Sequence, residues 1–504
     1  MTGARARHFD IVSTACREMY GLDSRSAPPL SLSLSEATQM KGTVTMPSTP
    51  HPYLPNSVPE VRQEMLDTIG VATIDDLYNT IPTELRMREG LDLPAALSSE
   101  AHLVSHMRGV LGKNRPAAPA TSFLGYGCYQ HFVPATCGEI NGRAEFLTAY
   151  AGESTEDHGK WQALFEYTSL MAELLDMDVV SIPTYDGYQA AATALRMGLR
   201  LTGRSEVVIS TAMEAGKLEK IRTYLPDDVE VRLVDVDEAT GRLDPATVAS
   251  LIGDETAAVL IESPNVFGVV ETGAREIAGT AHAHGTVVVA ATDPVALGYL
   301  EAPANWGADI VCGDIQSLGV GMHFGGGHGG FIATHDEPEF VFEFASRLFG
   351  LSPTEEPGEI GFTDVAYERT SLARREEGNE WVGTAASLWA ITAGVYLSLM
   401  GPEGMRGLGE YVAGMTRYAK DRIAALPGFT VPHADSANWR EFVIRHDTLS
   451  AAELRARMLE RGFHAGVDLG KFFLGRDGDL LVAVTEQHTQ ADIDALAREL
   501  GAIA

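Results

Sequence analysis

Lysine is scarce and unevenly placed in this 504-residue chain. The seven are Lys41, Lys113, Lys160, Lys217, Lys220, Lys420 and Lys471, and none lies between Ile221 and Ala419. Without a primary amine no imine can form, so that stretch cannot anchor a Schiff base. Cysteine is rarer still. Cys16, Cys128, Cys137 and Cys312 form no CxxC pair, which argues against a disulfide framework and predicts reduced thiols in the cytoplasm. Cys128 and Cys137 flank His131, but no second close pair completes a ligand set, so no metal is expected. Cys312, inside an apolar run, reads as a small buried residue. Apolar runs of about 18 residues, the length a membrane span needs, are missing. So is the apolar core of a secretory signal near the start. Positive charge is in deficit: 38 Lys and Arg against 69 acids give a net charge of −31. That balance argues against nucleic acid or an anionic membrane as partner.

What is present divides into four parts. Residues 1–47 contain the low-complexity run SAPPLSLSLS and read as a disordered or loosely attached extension, with Met40 or Met46 as alternative starts. Residues 48–158 carry helical patterning: one helix entered through Ser57 and Pro59 and stopped at Gly70, others over Thr73 to Ile81 and Ala95 to Asn114. The loop SFLGYGCYQHFVP follows, rich in glycine and aromatics and without a period. Residues 159–400 alternate helices with short Val/Ile/Ala strands at Glu206 to Ser210, Val229 to Val234, Ala257 to Ile261 and Val287 to Ala291. That alternation predicts an α/β fold with a parallel sheet covered on both faces. A long apolar helix from Thr384 is broken at Pro402 and Gly404. Residues 401–504 then read as a small α+β domain.

The chain is organised around VVVAATDPVALGYLEAPANWGADIVCGDIQSLGVGMHFGGGHGGFIA, from Val287 to Ala333. A buried strand ends in Asp293, and a second strand over Asp309 to Cys312 leads to a glycine-rich loop. Upstream, Tyr185-Asp186-Gly187 turns a strand into an Ala-rich helix, aiming a helix N-terminus at one spot. The run Gly325 to Gly330 lacks the Lys and Ser/Thr of a phosphate loop and reads as a close-packed turn. His323, His328 and His335 lack metal-ligand spacing.

Several stretches together resemble one family, the first subunit of the two-subunit glycine dehydrogenase (decarboxylating), the alpha chain of the glycine cleavage P-protein. They are HPYLPNS, EMLDTIGVATIDDLYNTIP, SFLGYGCYQHFVP, EFLTAY, QALFEY, the YDG turn, SPNVFGVVE, ATDPVALGYLEAP, GADIVCGDIQSLGVGMHFGG, MGPEGM and VAVTEQHTQADIDAL, in the family's order from about Ser48 to Ala504. Two segments depart from the family pattern. AGESTEDHGK (Ala151 to Lys160) replaces a T-P-Y-Q-P-E-x-x-Q-G stretch. RREEGNEWVGTA (Arg374 to Ala385) puts Glu377, Glu380, Trp381 and Gly383 where the family has Lys, Ser, Asn and Cys.

The resemblance implies an aminotransferase-like fold, the fold type I of pyridoxal-phosphate transferases, with a mostly parallel seven-stranded-type sheet and a small C-terminal domain. It implies a glycine decarboxylase in which a homologous second subunit, and not this chain, carries pyridoxal phosphate on a lysine, with an α2β2 assembly and lipoylated H-protein as the expected partners. Gln316 stands near that lysine's position and is expected to be a hydrogen-bonding loop residue. No catalytic residue is assigned. Tyr126, Tyr129, His131 and Trp381 are expected to line a substrate or interface pocket. Tyr185, Asp186, Gly187 and Asp293 mark a cofactor-binding region, expected to be vestigial. The two divergent segments leave open a paralogous decarboxylase or condensing enzyme acting on another amino acid; a catalytically silent interaction or regulatory protein on this fold is the other alternative.

Overall fold

The computed structural model describes residues 51, 53–87, 91–147, 158–344, 346–379 and 386–503. Those up to Asn114 and those from Arg115 onward form separate units. The first contains α1 (Pro59–Ile69) and α2 (Glu100–Leu111). Pro59 opens α1 at the position where a missing N–H costs nothing, and Gly70 ends it with φ 84°. The expected N-cap is displaced: Val58 occupies that position, and Ser57 accepts from the His51 amide at 2.7 Å instead. The segment expected as a helix over Thr73 to Ile81 is one 3-10 turn, Ile74–Tyr78, closed by the Thr73–Asp76 capping box.

The second unit is built on a seven-stranded sheet. Its strands are β1 (Val179–Val180), β2 (Glu206–Ser210), β3 (Glu230–Val234), β4 (Thr256–Glu262), β5 (Val287–Ala291), β6 (Ile310–Asp314) and β7 (Gly330–Thr334). They lie in the order β1-β7-β6-β5-β4-β2-β3. From β6 to β3 all pairs are parallel; β7 and β1 are antiparallel additions at one edge. Every residue of β2, β5 and β7 is buried, which is why these strands are continuous apolar runs rather than alternating ones. Helices α3 (Ala135–Asn141), α4 (His158–Leu175), α5 (Gly187–Thr202), α6 (Ala215–Tyr224), α7 (Pro245–Leu251) and α8 (Ala274–Ala283) connect or cover them. On α5, Ala190, Ala191, Ala192 and Ala194 are buried, and their short side chains let the helix lie close on the sheet.

A hairpin of β8 (Phe349–Pro353) and β9 (Ile360–Asp364) precedes α9 (Ser387–Ala424). The bend in α9 falls at Gly401, φ 60°, one residue before the expected Pro402, which instead opens the resumed helix. Beyond the bend, Met415, Ala419 and Ile423 pack under a second, antiparallel sheet. Its strands are β10 (Phe429–Thr430), β11 (Glu441–His446), β12 (Val467–Asp468) and β13 (Asp479–Ala483), in the order β10-β11-β13-β12. Helices α10 (Ala451–Glu460) and α11 (Gln490–Gly501) share its core. The glycine run departs from the close-packed turn expected of it. Gly325, Gly326 and Gly327 are exposed, and only Gly329 and Gly330 are packed.

Candidate functional site

A cavity of about 100 Å3 opens where the carboxyl ends of β4, β5 and β6 meet the first turns of α5 and α6. Ligand sites in open α/β sheets form at such strand ends. Two further segments complete its wall: the loop at Gly127 and Tyr129, and Trp439-Arg440-Glu441 leading into β11.

Asp293, just past β5, is already engaged. Its Oδ1 accepts from the Ser317 hydroxyl at 2.8 Å and the Val295 amide at 3.0 Å. Its Oδ2 lies 3.0 Å from Nη2 of Arg440. Arg440 is 1% exposed, and its φ of 61° is unusual for a residue with a side chain. Its Nη1 donates to His131 Nε2 at 2.6 Å, and the guanidinium carbon stands 4.4 Å from the centre of the Tyr129 ring. His131 Nδ1 in turn faces Glu486 Oε2 at 3.2 Å. Burial and then Arg440 lower the His131 pKa, so the neutral ring donates to Glu486 and accepts from Arg440. Burial alone would raise the Glu486 carboxyl; His131, the Phe132 amide and Arg440 hold it down at about 2. The result is a buried line of alternating charge and hydrogen bonds, Glu486–His131–Arg440–Asp293.

Glu441 forms the next wall. Its Oε1 accepts from the Tyr126 amide at 2.7 Å and its Oε2 from the Tyr129 hydroxyl at 2.9 Å. Burial pushes its carboxyl up to about 7, opposed by those two donors. Gly125 is required here: a Cβ would stand 2.3 Å from Glu441 Oε1 and 2.6 Å from Ala483 Cβ. The Tyr126 hydroxyl reaches across to accept from the Ala215 amide at the start of α6.

Gln316 is clamped. Its Nε2 donates to Tyr129 O at 2.9 Å and Val320 O at 3.1 Å, and its Oε1 accepts from the Tyr129 amide. At the start of α5, the Asp186 side chain accepts from the Gln189 amide, and Asp314 Oδ2 accepts from the Gly187 amide at 3.2 Å. Burial raises Asp314 to about 6, with Asp186 adding to the rise. Tyr185 is exposed and lies outside the cavity lining. Trp381 falls outside the described residues, as do 151–157 and 380–385 of the two divergent segments.

The structure thus gathers Tyr129, Gly187, Asp293 and Gln316 into one cavity, with Tyr126 and His131 directly behind its wall. It adds residues that spacing did not reveal: Glu214, Lys217, Glu262, Asp314, Arg440 and Glu441. Lys217 lies upstream of the lysine-free stretch, and α6 carries it into the cavity. Its Nζ donates to Glu262 Oε1 at 2.9 Å. Burial opposes its charge, but Glu262 leaves its pKa raised, so it is a paired ammonium rather than a free amine.

These residues do not fit pyridoxal phosphate. The carboxylate expected at a pyridine nitrogen holds a guanidinium. The helix end expected at a phosphate holds two carboxylates, and like charge there is unfavourable. The position expected to hold an amine is an amide with its own partners. Among the described residues, no group of His, Cys, Asp and Glu is arranged to hold a metal ion, and no helix is long and apolar enough to cross a membrane.

The comparisons agree with this architecture. The family model described as "Glycine cleavage system P-protein" matches residues 51–500. A protein of Geotalea uraniireducens named "probable glycine dehydrogenase (decarboxylating) subunit 1" is 37% identical over 450 residues, covering 89% of this chain and 99% of that one. The crystal structure of a glycine decarboxylase (P-protein) in inhibitor-bound form matches with TM-score 0.78 and 31% identity, over 90% of this chain and 99% of that chain. A sphingosine-1-phosphate lyase of Burkholderia pseudomallei shares the fold at TM-score 0.59 and 15% identity, over 84% of this chain and 94% of that one. The chain has the α/β fold of type I pyridoxal-phosphate enzymes, and it belongs to the glycine cleavage system P-protein family.

Proposed function

We propose that this chain is the non-lysine-bearing subunit of a heteromeric glycine decarboxylase, a glycine dehydrogenase (aminomethyl-transferring). Its partner is a homologous second subunit that holds pyridoxal phosphate on a lysine, in an α2β2 complex. Glycine loses its carboxyl group as carbon dioxide, and the aminomethyl carbon passes to the lipoyl group of the H-protein. The observation that carries this reading is the occupied Asp293, bound by Arg440 and Ser317 within a P-protein fold. A chain that neutralises this carboxylate internally has no call for a pyridinium there.

In this reading the chain contributes shape and rigidity. The line from Glu486 to Asp293 fixes the small C-terminal sheet against β5. Tyr126, Tyr129 and His131 hold the aromatic loop to that line, and Gln316 ties the same loop to the turn after β6. The proposed role of these residues is to keep one wall of the assembly fixed while the chemistry proceeds on the partner's cofactor.

The test is glycine-dependent exchange of labelled bicarbonate into the glycine carboxyl group, with this chain, the second subunit, pyridoxal phosphate and lipoylated H-protein, each protein omitted in turn. Exchange that needs both chains is expected. An intact complex of the two chains without exchange would remove glycine as the substrate. Exchange by this chain alone would overturn the division of labour.

A further inference from the structure

The cavity is unbalanced in two ways. Its lining holds five carboxylates, Glu214, Glu262, Asp293, Asp314 and Glu441, against two cations, Lys217 and Arg440. Three of its lining residues also carry buried polar atoms with no hydrogen-bond partner among the described residues. Arg440 Nε and Nη2 and the Trp439 indole Nε1 lack an acceptor, and Glu262 Oε2 lacks a donor. Nη2 approaches Asp293 Oδ2 at 3.0 Å, but only as a charge contact without hydrogen-bond geometry. Arg440 and Trp439 are 1% and 2% exposed. A buried donor left unsatisfied is destabilising, the more so when it is charged.

These features point to a ligand with both signs of charge. The Nε and Nη2 edge of a guanidinium is a fork that matches a carboxylate. An anion with no positive end would meet the surplus of acids; an ammonium group would be drawn to them. Size narrows the class further. A cavity of about 150 Å3 takes benzene, so about 100 Å3 suits the smallest α-amino acids.

We propose that this chain binds a small α-amino acid as its zwitterion in this cavity, non-covalently, with the carboxylate on Arg440 and Trp439 and the ammonium toward Glu262. This goes beyond the proposed reaction, and it is read on the full chain alone, without pyridoxal phosphate or turnover.

The experiment is calorimetric titration of the purified full-length chain with glycine, L-alanine, acetate and methylamine. Glycine is expected to bind one to one. Acetate and methylamine each carry half of the charge pattern and should bind at least about tenfold more weakly, since a hydrogen bond to a charged group contributes about 1.5–3 kcal/mol. Arg440→Gln should abolish binding. Trp439→Phe keeps an aromatic ring but removes the indole donor together with the five-membered ring, and should weaken glycine by about three- to tenfold. Glu262→Gln should weaken glycine while leaving acetate unchanged. The proposal is overturned if glycine gives no heat of binding in the millimolar range, or if acetate binds as well as glycine. It is equally overturned if the folded Trp439→Phe and Glu262→Gln proteins bind glycine like the unmodified chain.

Discussion

At the scale of single residues, the site depends on charges that could not survive burial alone. Arg440 illustrates this. Removing one member of a buried ion pair leaves the other uncompensated, at a cost of about 3–5 kcal/mol. Arg440→Met is therefore expected to lower the unfolding free energy by that order in urea denaturation, with Asp293→Asn costing less because Ser317 and Val295 still bond the amide oxygen. Glu441 gives a pH signature. Burial raises its carboxyl to about 7 from an ordinary 4.5, so the native state keeps a proton that the unfolded chain has lost. Its contribution is full below about 4.5 and is lost as pH rises through about 7, at up to about 1.4 kcal/mol per pH unit. Glu271, raised to about 7 by burial, and Asp314, raised to about 6, act in the same direction. Glu486, held at about 2, acts in the opposite one, its contribution being lost as pH falls from about 4.5 toward 2. His131, His433 and His488, lowered by burial, oppose this trend over the same range, so the signature is a difference: in thermal unfolding between pH 5 and about 7.5 the slope of stability with pH should be less negative in Glu441→Gln than in the unmodified chain. An unchanged slope would remove Glu441 as its source.

At the scale of elements, the aromatic loop is the piece whose placement matters most. The Phe123 amide donates to His464 O at 2.8 Å, Phe123 O accepts from the Ala483 amide, and its ring stacks on His488 at 4.3 Å. The loop is thereby an extra edge of the small sheet. Phe123→Ala should cost about 3–5 kcal/mol in urea denaturation, and it should loosen Tyr126 and Tyr129, seen as faster amide exchange at those positions. The central strands were legible in the sequence because burial on both faces leaves unbroken apolar runs: Glu206–Ser210 and Val287–Ala291 stand where the pattern puts them. The β8–β9 hairpin was not, because FGLSP and IGFTD are short, interrupted by Gly and Pro, and only partly buried. The site was half legible. Asp293, Gln316 and Gly187 sit on strand and helix ends that local pattern can find. Arg440 and Glu441 reach the cavity from the small domain, with Glu486 behind them on His131, and Lys217 reaches it through α6. Such pairings are set by the packing of distant elements, so no local spacing records them.

At the scale of the whole molecule, a net charge of −31 means that folding brings like charges together. Raising salt from about 0.05 to about 0.5 M shortens the screening length, and it should raise the melting temperature while leaving the buried Arg440–Asp293 contact intact. The larger question is which chain holds the cofactor. Here the cavity keeps its own guanidinium on Asp293, its own carboxylates at the start of α5, and an amide at Gln316. The most direct measurement is borohydride reduction of this chain with pyridoxal phosphate, alone and in complex with its second subunit, followed by peptide mapping. A reduced adduct is expected on the partner's lysine and none at Lys217, the cavity lysine paired with Glu262. Stoichiometric modification of Lys217 would contradict it.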